Sequence, residues 1–305
     1  MYNFLEPVRK LDFVKYRFYF IGFSLILITI GFILFFVKGG FKQSIDFAGG
    51  TRLEIKVNDD KCTIDLVREV ISSTGVTKDV TYLGDPSEKI FLISIGVKEN
   101  YTQDVEKVKQ ALVSKFGDKL VFRGENTVGP RLSREFFKSA LILSIIVGFI
   151  ILGYIWVRFD LIFGLGAIAS LIHDLFIMLT VALVFDIEMD ITIIAAILTI
   201  LGYSVTDTVV VYDRIRENLE LSRTTDIEHI VNISIRQVIV RSILTSFTTL
   251  LIIISFMIWG PENLKGFSTE LLAGIISGTY SSLFIAAPIV IGFEKRRLIK
   301  KEKTI

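Results

Sequence analysis

Six long apolar runs constrain this sequence more than any other feature; a segment of 102 residues separates the first two, and shorter charged segments separate the others. A helix needs about 20 apolar residues to cross the hydrocarbon layer of a bilayer, and each run is close to that length. Since 51% of the residues are hydrophobic, the chain is predicted to be a polytopic α-helical membrane protein. The predicted transmembrane helices are 19–37, 140–157, 161–185, 191–212, 239–259 and 271–293.

The basic residues predict an orientation in the membrane. Lys and Arg mark the cytoplasmic side of short loops, and here they favour the side that holds both termini. The chain is therefore divided into a cytoplasmic N-terminus (1–18), a first transmembrane helix (19–37), an extracytoplasmic domain (38–138), five further helices with short loops (139–293) and a basic cytoplasmic tail (294–305). The net charge of +2 does not indicate nucleic-acid binding.

The segment between the first two runs alternates between strand and helix patterns. Residues 51–57, 76–83, 90–97 and 119–128 have strand patterns, and 63–73 and 102–116 have helix patterns. The order βαββαβ predicts an α+β ferredoxin-like domain with both helices on one face of the sheet. This domain contains no histidine and no group of residues suited to catalysis, so a docking or substrate-contacting role is favoured.

Neither a cofactor nor an enzymatic activity is predicted. Cys62 is the only cysteine, which excludes an intramolecular disulfide, and there is no Cys/His cluster of the kind that holds zinc. A phosphate-binding loop of the Walker type is also absent from the sequence. The chain is therefore expected to work without a metal, cofactor or bound nucleotide.

Polar and small residues in the third run predict a close helix contact around a carboxylate. Asp174 lies near the middle of this run, where an ionised group is most costly. Gly166 and Ser170 precede it at intervals of four, so the three residues share a helix face. His173 should point about 100° away from Asp174. Both a hydrogen-bonded structural role and a proton-carrying role fit this histidine.

The sixth run shows a similar small-residue face and an expected irregularity. Gly274 and Gly278 are four residues apart and predict a close-packing face. Pro288, further along the same run, predicts a kink or a weakened turn in the helix.

The fourth and fifth runs each carry a charged residue towards their cytoplasmic ends. Asp207 completes a stripe with Thr199 and Tyr203, and Arg241 begins one with Thr245. Consecutive helices are often neighbours, so Asp207 and Arg241 are expected to meet at one depth, where a change in their separation would bind or release a proton. The alternative is that Arg241 extends to the membrane surface and Asp207 only fixes helix packing. The residues alone leave both open.

Together these motifs resemble the SecF family of the SecD/SecF protein-export complex, within the resistance-nodulation-division superfamily. The resemblance covers nearly the whole chain, although family members usually carry Asn directly before the fourth-helix aspartate, where this chain has Thr206. The threonine keeps a hydroxyl but lacks the amide. The matching segments are IDFAGG (45–50), VGP (128–130), the His173-Asp174 pair, GYSVTDTVVVYDRIRE (202–217), NISIRQVIVRSILTSFTTL (232–250) and GTYSSLFIA (278–286).

The resemblance implies a subunit that pairs with SecD in the bacterial inner membrane. Such a complex uses a proton or sodium motive force to assist late preprotein translocation through the SecYEG channel. The implied partners are SecD, SecYEG, the preprotein, YidC or YajC, and membrane lipids. The residues that match the ion-coupling site are Asp207 and Arg241, with Asp174 as a further member and His173, Tyr203, Thr206 and Thr245 as supporting polar residues.

Three other functions remain to be weighed. A small-molecule or lipid exporter of the same superfamily and a non-coupling scaffold of the translocase both fit the bundle. An intramembrane aspartyl protease would use Asp174 and Asp207 as paired carboxylates. The spacing of Gly202 and Tyr203 before Asp207 does not match the motifs of such proteases, and an arginine nearby would hold a carboxylate ionised.

Overall fold

The computed structural model describes residues 6–77, 79–96, 101–222 and 226–302. Within these residues, six helices are long and apolar enough to cross a membrane, which confirms the predicted number. A short helix α1 (Glu6–Arg9) precedes them. The long helices are α2 (Phe13–Lys38), α6 (Pro130–Arg158), α7 (Leu161–Val184), α8 (Ile191–Leu221), α9 (Ile227–Trp259) and a last helix made of α10 (Lys265–Ser281), a π-helical turn (Ser282–Ala286) and α11 (Ala287–Glu302).

Except for α7, which ends one residue before its predicted bound, the observed helices are longer than the predicted apolar runs. Helix α8 continues past Tyr212, and α9 begins well before residue 239. The extension of α8 is polar and carries ion pairs within the helix, such as Arg214 to Glu217 at 2.6 Å. Such pairs stabilise a helix outside the hydrocarbon layer. Hydropathy therefore marked only the part of each helix that lies in the apolar layer.

Helices α7, α8 and α10 form the centre of the bundle, whereas α2 and α6 lie at its edge with most of their side chains exposed. The irregularity predicted in the sixth span is present as the π-helical turn just before Pro288. We call the end of the bundle that carries the α+β domain the domain side and the opposite end, where α2 begins and α11 ends, the terminal side.

The α+β domain has the predicted ferredoxin-like arrangement. Its four strands form an antiparallel sheet in the order β2-β3-β1-β4. Alternate residues of β1, such as Leu53 and Ile55, are fully buried in the core that the sheet shares with the helices. The elements are β1 (Gly50–Val57), α4 (Ile64–Ser72), β2 (Val80–Tyr82), β3 (Ile90–Gly96), α5 (Tyr101–Phe116) and β4 (Leu120–Val128).

Some predicted bounds fall outside the described residues or differ from those observed. The second strand is shorter than predicted. Lys78 and Val97, which were predicted to be strand residues, lie outside the described part of the chain, as do residues 1–5 and 303–305 of the predicted terminal segments.

The two glycines of IDFAGG make the junction between the membrane segment and the domain. The first four residues form a short helix α3 (Ile45–Ala48), which packs against the start of α6. Gly49 and Gly50 have φ angles of 77° and 150°, which residues with a side chain rarely adopt. A Cβ atom on Gly50 would also lie 2.3 Å from the carbonyl oxygen of Ile95. Glycine is therefore required where the chain enters β1.

A second connection ties the domain to the loop between α7 and α8. Backbone hydrogen bonds join the segment after α2 to Met189 of this loop. The Lys42 ammonium lies 3.1 Å from Asp79 of the domain and 3.4 Å from Glu188 of the loop, and Arg52 lies 3.9 Å from Glu188. We call these four charged residues the junction cluster.

Candidate functional site

Asp174 lies at the centre of the bundle and is fully buried. Its Oδ1 accepts a hydrogen bond from Ser277 at 2.6 Å, and its Oδ2 accepts hydrogen bonds from Ser204 at 2.6 Å and Ser281 at 2.8 Å. The donors come from α8 and α10, so three helices meet at one carboxyl group. Both oxygens are thereby occupied, as the burial of a polar group requires.

His173 connects Asp174 to α2 through a chain of hydrogen bonds. Its Nδ1 lies 3.1 Å from Asp174 Oδ1, and its Nε2 lies 2.9 Å from the hydroxyl of Ser24. Ser24 in turn contacts the Tyr280 hydroxyl, which donates to the Phe20 carbonyl. The expectation that His173 points away from Asp174 was wrong. The imidazole ring instead contacts the carboxyl group of the next residue in the chain, Asp174, on the same helix.

Asp207 is also buried, with 7% of its surface exposed, but it has a sparser environment than Asp174. Among the residues that the structure describes, only Thr279 donates a hydrogen bond to its carboxyl group, at 3.3 Å. The same threonine contacts the Ser246 hydroxyl, to which Tyr203 donates at 3.3 Å. Asp207 therefore lies at the end of a polar network formed by α8, α9 and α10.

Arg241 does not form an ion pair or a hydrogen bond with Asp207 in this conformation. Its side chain is exposed on the surface of α9, as are those of Thr245 and, on α8, Thr206. The hydroxyl groups of both threonines bond to carbonyl oxygens of their own helices. The residues predicted to surround Asp207 are thus divided between the buried network, which includes Tyr203, and the exposed surface.

The predicted small residues lie at close helix contacts. A Cβ atom on Gly166 would lie 2.3 Å from the Tyr212 hydroxyl, one on Gly274 would lie 2.5 Å from Ile200, and one on Gly278 would lie 3.0 Å from Ser204. Ser170 is fully buried and donates to the carbonyl of Ala167. These contacts let α7, α8 and α10 approach closely enough for the serines to reach Asp174.

In the junction cluster, which lies outside the membrane-spanning helices, the pKa values of Glu188 and Lys42 are both raised. Burial raises the pKa of Glu188, the Asp79 carboxylate raises it further, and Lys42 and Arg52 act against both. Burial acts to lower the pKa of Lys42, but the attraction of Glu188 and Asp79 is larger, so its pKa is above the usual range. Among the described residues, no group of three or more His, Cys, Asp or Glu side chains forms a candidate metal site.

Two family descriptions match the sequence. Residues 107–296 match "Protein export membrane protein SecD/SecF, C-terminal", and residues 33–61 match "SecD/SecF GG Motif". The protein translocase subunit SecF of Petrotoga mobilis is 42% identical over 301 residues, covering 94% of this chain and 97% of the relative. This chain belongs to the SecF family.

SecF relatives also occur fused to SecD. The protein translocase subunit SecDF of Bacillus subtilis is 36% identical over 96% of this chain, which spans 40% of that relative. The crystal structure of SecDF from Thermus thermophilus, described as a translocon-associated membrane protein, aligns with a TM-score of 0.78 and 29% identity. It covers 93% of this chain, which spans 39% of that structure.

Sequence reasoning missed one buried acidic residue of this SecF chain. Glu270 was left outside the sixth apolar run, which was predicted to begin at residue 271, but α10 begins at Lys265 and Glu270 is fully buried. The available signal was its spacing: Glu270 lies seven and eleven residues before Ser277 and Ser281, intervals that place all three on one helix face. From the sequence, the two serines could be recognised only as small residues. Their role as hydrogen-bond donors to Asp174 became clear only from the structure.

Proposed function

We propose that this chain is the SecF subunit of a complex with SecD, which uses a proton or sodium motive force to assist late preprotein translocation through SecYEG. The names of the SecF and SecDF relatives support the assignment to translocation. The observation that carries the coupling role is Asp207, a buried carboxyl group inside a membrane bundle to which Thr279 donates a hydrogen bond at 3.3 Å. Ionisable groups in such positions commonly mark ion pathways.

The two buried carboxyl groups have different roles in this proposal. Asp174 has both oxygens occupied by donors from neighbouring helices, and it acts mainly as the fixed centre of the bundle, with His173 as its support. Asp207 retains capacity for further hydrogen bonds, and Arg241 lies on the adjoining helix. Movement of the exposed guanidinium towards Asp207 would favour the ionised carboxylate and release its proton, and movement away would favour proton binding.

SecD is proposed to cover a polar strip on the surface of the bundle. Lipid tails cannot satisfy polar side chains, so an arginine at membrane depth requires protein or water beside it. The fused SecDF relatives support a SecD subunit as the neighbour. The strip consists of exposed side chains of α8 and α9, namely Thr199, Thr206, Arg241, Thr245 and Thr248.

The remaining features of the proposal follow from the same assignment. The chain lies in the bacterial inner membrane with both termini in the cytoplasm and the α+β domain on the extracytoplasmic side, where it contacts the preprotein. SecYEG, YidC or YajC, and lipids are the further partners. The basic segments at the terminal side support this orientation.

The aspartyl protease is disfavoured by the surroundings of Asp174. Catalysis would require Asp174 and Asp207 to share a proton beside a substrate, but Asp174 is fully buried and its oxygens are bonded to three serines. No further observation favours an exporter. A non-coupling scaffold differs from the proposal in one measurable respect, which is the response to an ion gradient.

The test compares wild-type and Asp207→Asn chains, each produced with SecD and reconstituted with the translocase. An imposed ion gradient should speed late translocation by the wild type and have no effect on the variant, at equal abundance of the complex. Asp213→Asn is the matched control, because Asp213 lies on the same helix but pairs with Arg158 at 2.6 Å. A gradient response that survives in Asp207→Asn would refute the coupling role and favour the scaffold.

A further inference from the structure

Glu270 is a buried acidic side chain to which the proposed function assigns no role. It lies on α10 with none of its surface exposed. Neither carboxyl oxygen has a hydrogen-bond partner among the described residues. Asp174, which is buried to the same extent, accepts hydrogen bonds from three serines. The contrast identifies Glu270 as an unsatisfied acid inside the bundle.

The contacts of the glycines on α10 give the level of Glu270 in the bundle. Gly266 packs against Ile187 and Ile193, and Gly274 packs against Ile200. Glu270 lies midway between the two glycines, within the hydrophobic cluster on the domain side of the bundle. It is seven residues from Ser277, a donor to Asp174, which corresponds to about 10 Å along the helix axis. That cluster consists of Met178, Ala182, Ile187, Ile193, Ile197, Ile200, Ile253 and Ile275.

Within the described part of the chain, no charged side chain forms a hydrogen bond or an ion pair with Glu270. Lys265 on its own helix is exposed, and Asp186 and Glu188 of the loop before α8 pair with Lys38 and Lys42. On α7, Asp174 and His173 lie towards the terminal side, and their polar atoms bond to other residues. On α8, Asp190 bonds to the start of its own helix, and Asp207 lies beyond Asp174 in the direction of the terminal side. On α9, the charged residues lie near the terminal side: Glu228, Arg236 and Arg241.

An isolated carboxylate in such surroundings is strongly disfavoured. Transfer of an unpaired charge from water to an apolar interior costs many kcal/mol, whereas the neutral acid loses only its hydrogen bonds to water. We propose that Glu270 is a proton-binding site on the domain side of the bundle, neutral in this conformation and ionised when the surrounding helices separate. Binding takes one proton from water and converts the carboxylate to the acid, and release returns the proton to water.

A cavity of about 430 Å³ lies between the domain-side ends of α2 and α7. Its lining includes Lys38, Asp186, Ala182 and Ile187. Ile187 also contacts Gly266, one helical turn from Glu270. A displacement of Ile187 would therefore bring water from this cavity towards the carboxyl group. The inference rests on the proposed function only in assigning this proton to ion coupling.

The test has a spectroscopic and a functional measurement on the full chain in complex with SecD in lipid. Infrared spectra should show the carbonyl band of a protonated carboxylic acid that is absent from Glu270→Gln. Glu69→Gln, an exposed glutamate of the α+β domain, should leave the band intact. Glu270→Asp should retain the band at a shifted frequency. This variant keeps the acid and therefore tests the assignment even where the amide variant assembles poorly.

The functional measurement is the stimulation of translocation by a proton gradient. Glu270→Gln should abolish the stimulation, while Glu69→Gln should retain it. Absence of the infrared band from the wild type would overturn the proton-binding site. If the band is present but Glu270→Gln responds fully to the gradient, the role in coupling is overturned. The Asp207→Asn variant then shows whether the proposed function also fails. If this variant no longer responds to the gradient, ion coupling through Asp207 stands; if it responds fully, both the proposed function and the coupling role of Glu270 are refuted.

Discussion

The hydrogen bonds of Asp174 predict that it contributes far more to stability than Asp207. Asparagine at position 174 keeps one acceptor oxygen and replaces the other with an amide that cannot accept the hydrogen bonds made there. A buried donor that loses its acceptor costs about 1–3 kcal/mol, and Oδ2 alone accepts hydrogen bonds from two serines. Asp174→Asn should therefore lower the free energy of unfolding by about 2–6 kcal/mol.

Three comparisons make this magnitude specific to the site. Ser277→Ala removes one of the three serine hydrogen bonds and should cost about 1.5–3 kcal/mol. Asp207→Asn should cost less than about 1 kcal/mol, because the amide oxygen still accepts the hydrogen bond from Thr279. In the double variant Asp174→Asn/Ser277→Ala, the two costs should not add, because the residues are in contact.

The assay is reversible denaturation in detergent micelles, followed by tryptophan fluorescence and repeated for each variant and the double variant. The expected order of cost is Asp174→Asn first, Ser277→Ala second and Asp207→Asn last. A stability of Asp174→Asn within about 1 kcal/mol of the wild type would refute the reasoning, because two buried serine donors left without an acceptor should cost more than that. Additive costs in the double variant would show that Ser277 does not act through Asp174.

Three further predictions concern packing, pH and coupling. Gly278→Leu should lower the unfolding midpoint, because overpacking costs about 1–3 kcal/mol. Gly148→Leu should leave the midpoint unchanged, since no atom lies within 4 Å of a Cβ at Gly148. Equal effects of the two substitutions would contradict the close helix contact at Gly278. Because the pKa of Glu188 is raised in the folded protein, the folded state binds more protons than the unfolded state. The free energy of unfolding should therefore fall as pH rises from the pKa of an unfolded glutamate, about 4.3, to the higher pKa of the folded state. In denaturation experiments across a pH series, the unfolding free energy of Glu188→Gln should depend less steeply on pH than that of the wild type. An unchanged pH dependence would contradict this prediction. Arg241→Ala should leave stability within about 0.5 kcal/mol but remove the gradient response in translocation assays, and a normal response would exclude Arg241 from coupling.

Periodicity and hydropathy were sufficient for the architecture. The number of long helices followed from the apolar runs, because a bilayer imposes a minimum length on any helix that crosses it. The alternation in β1 and the helix patterns beside it predicted the ferredoxin-like order. Side chains return to the same face every two residues in a strand and about every 3.6 residues in a helix, so the two elements have different apolar patterns. Helix bounds were less accurate, because the polar ends of α8 and α9 extend beyond the hydrocarbon layer and carry no apolar signal.

The small residues were also predictable, but their partners were not. Spacing by four placed Gly166 and Ser170 on the face of Asp174, and Gly274 beside Gly278. Which atoms fill the space beside each glycine depends on the neighbouring helices, and these were known only from the structure. The expected contact between Asp207 and Arg241 followed from chain order, but adjacency of two helices does not fix the rotation of either about its axis.

The sequence alone determined a six-helix membrane bundle with an α+β domain inserted after the first helix, and it identified buried acids at positions 174 and 207. These properties depend on the spacing of apolar residues within each segment and on the thickness of the bilayer, and both apply to each helix separately. Only the tertiary structure showed that serines of two other helices donate to both oxygens of Asp174, that Arg241 is exposed and that Glu270 is buried with no hydrogen-bond partner among the described residues. The physical reason is that the state of a buried charge is set by donors and by desolvation, both of which come from residues distant in the chain.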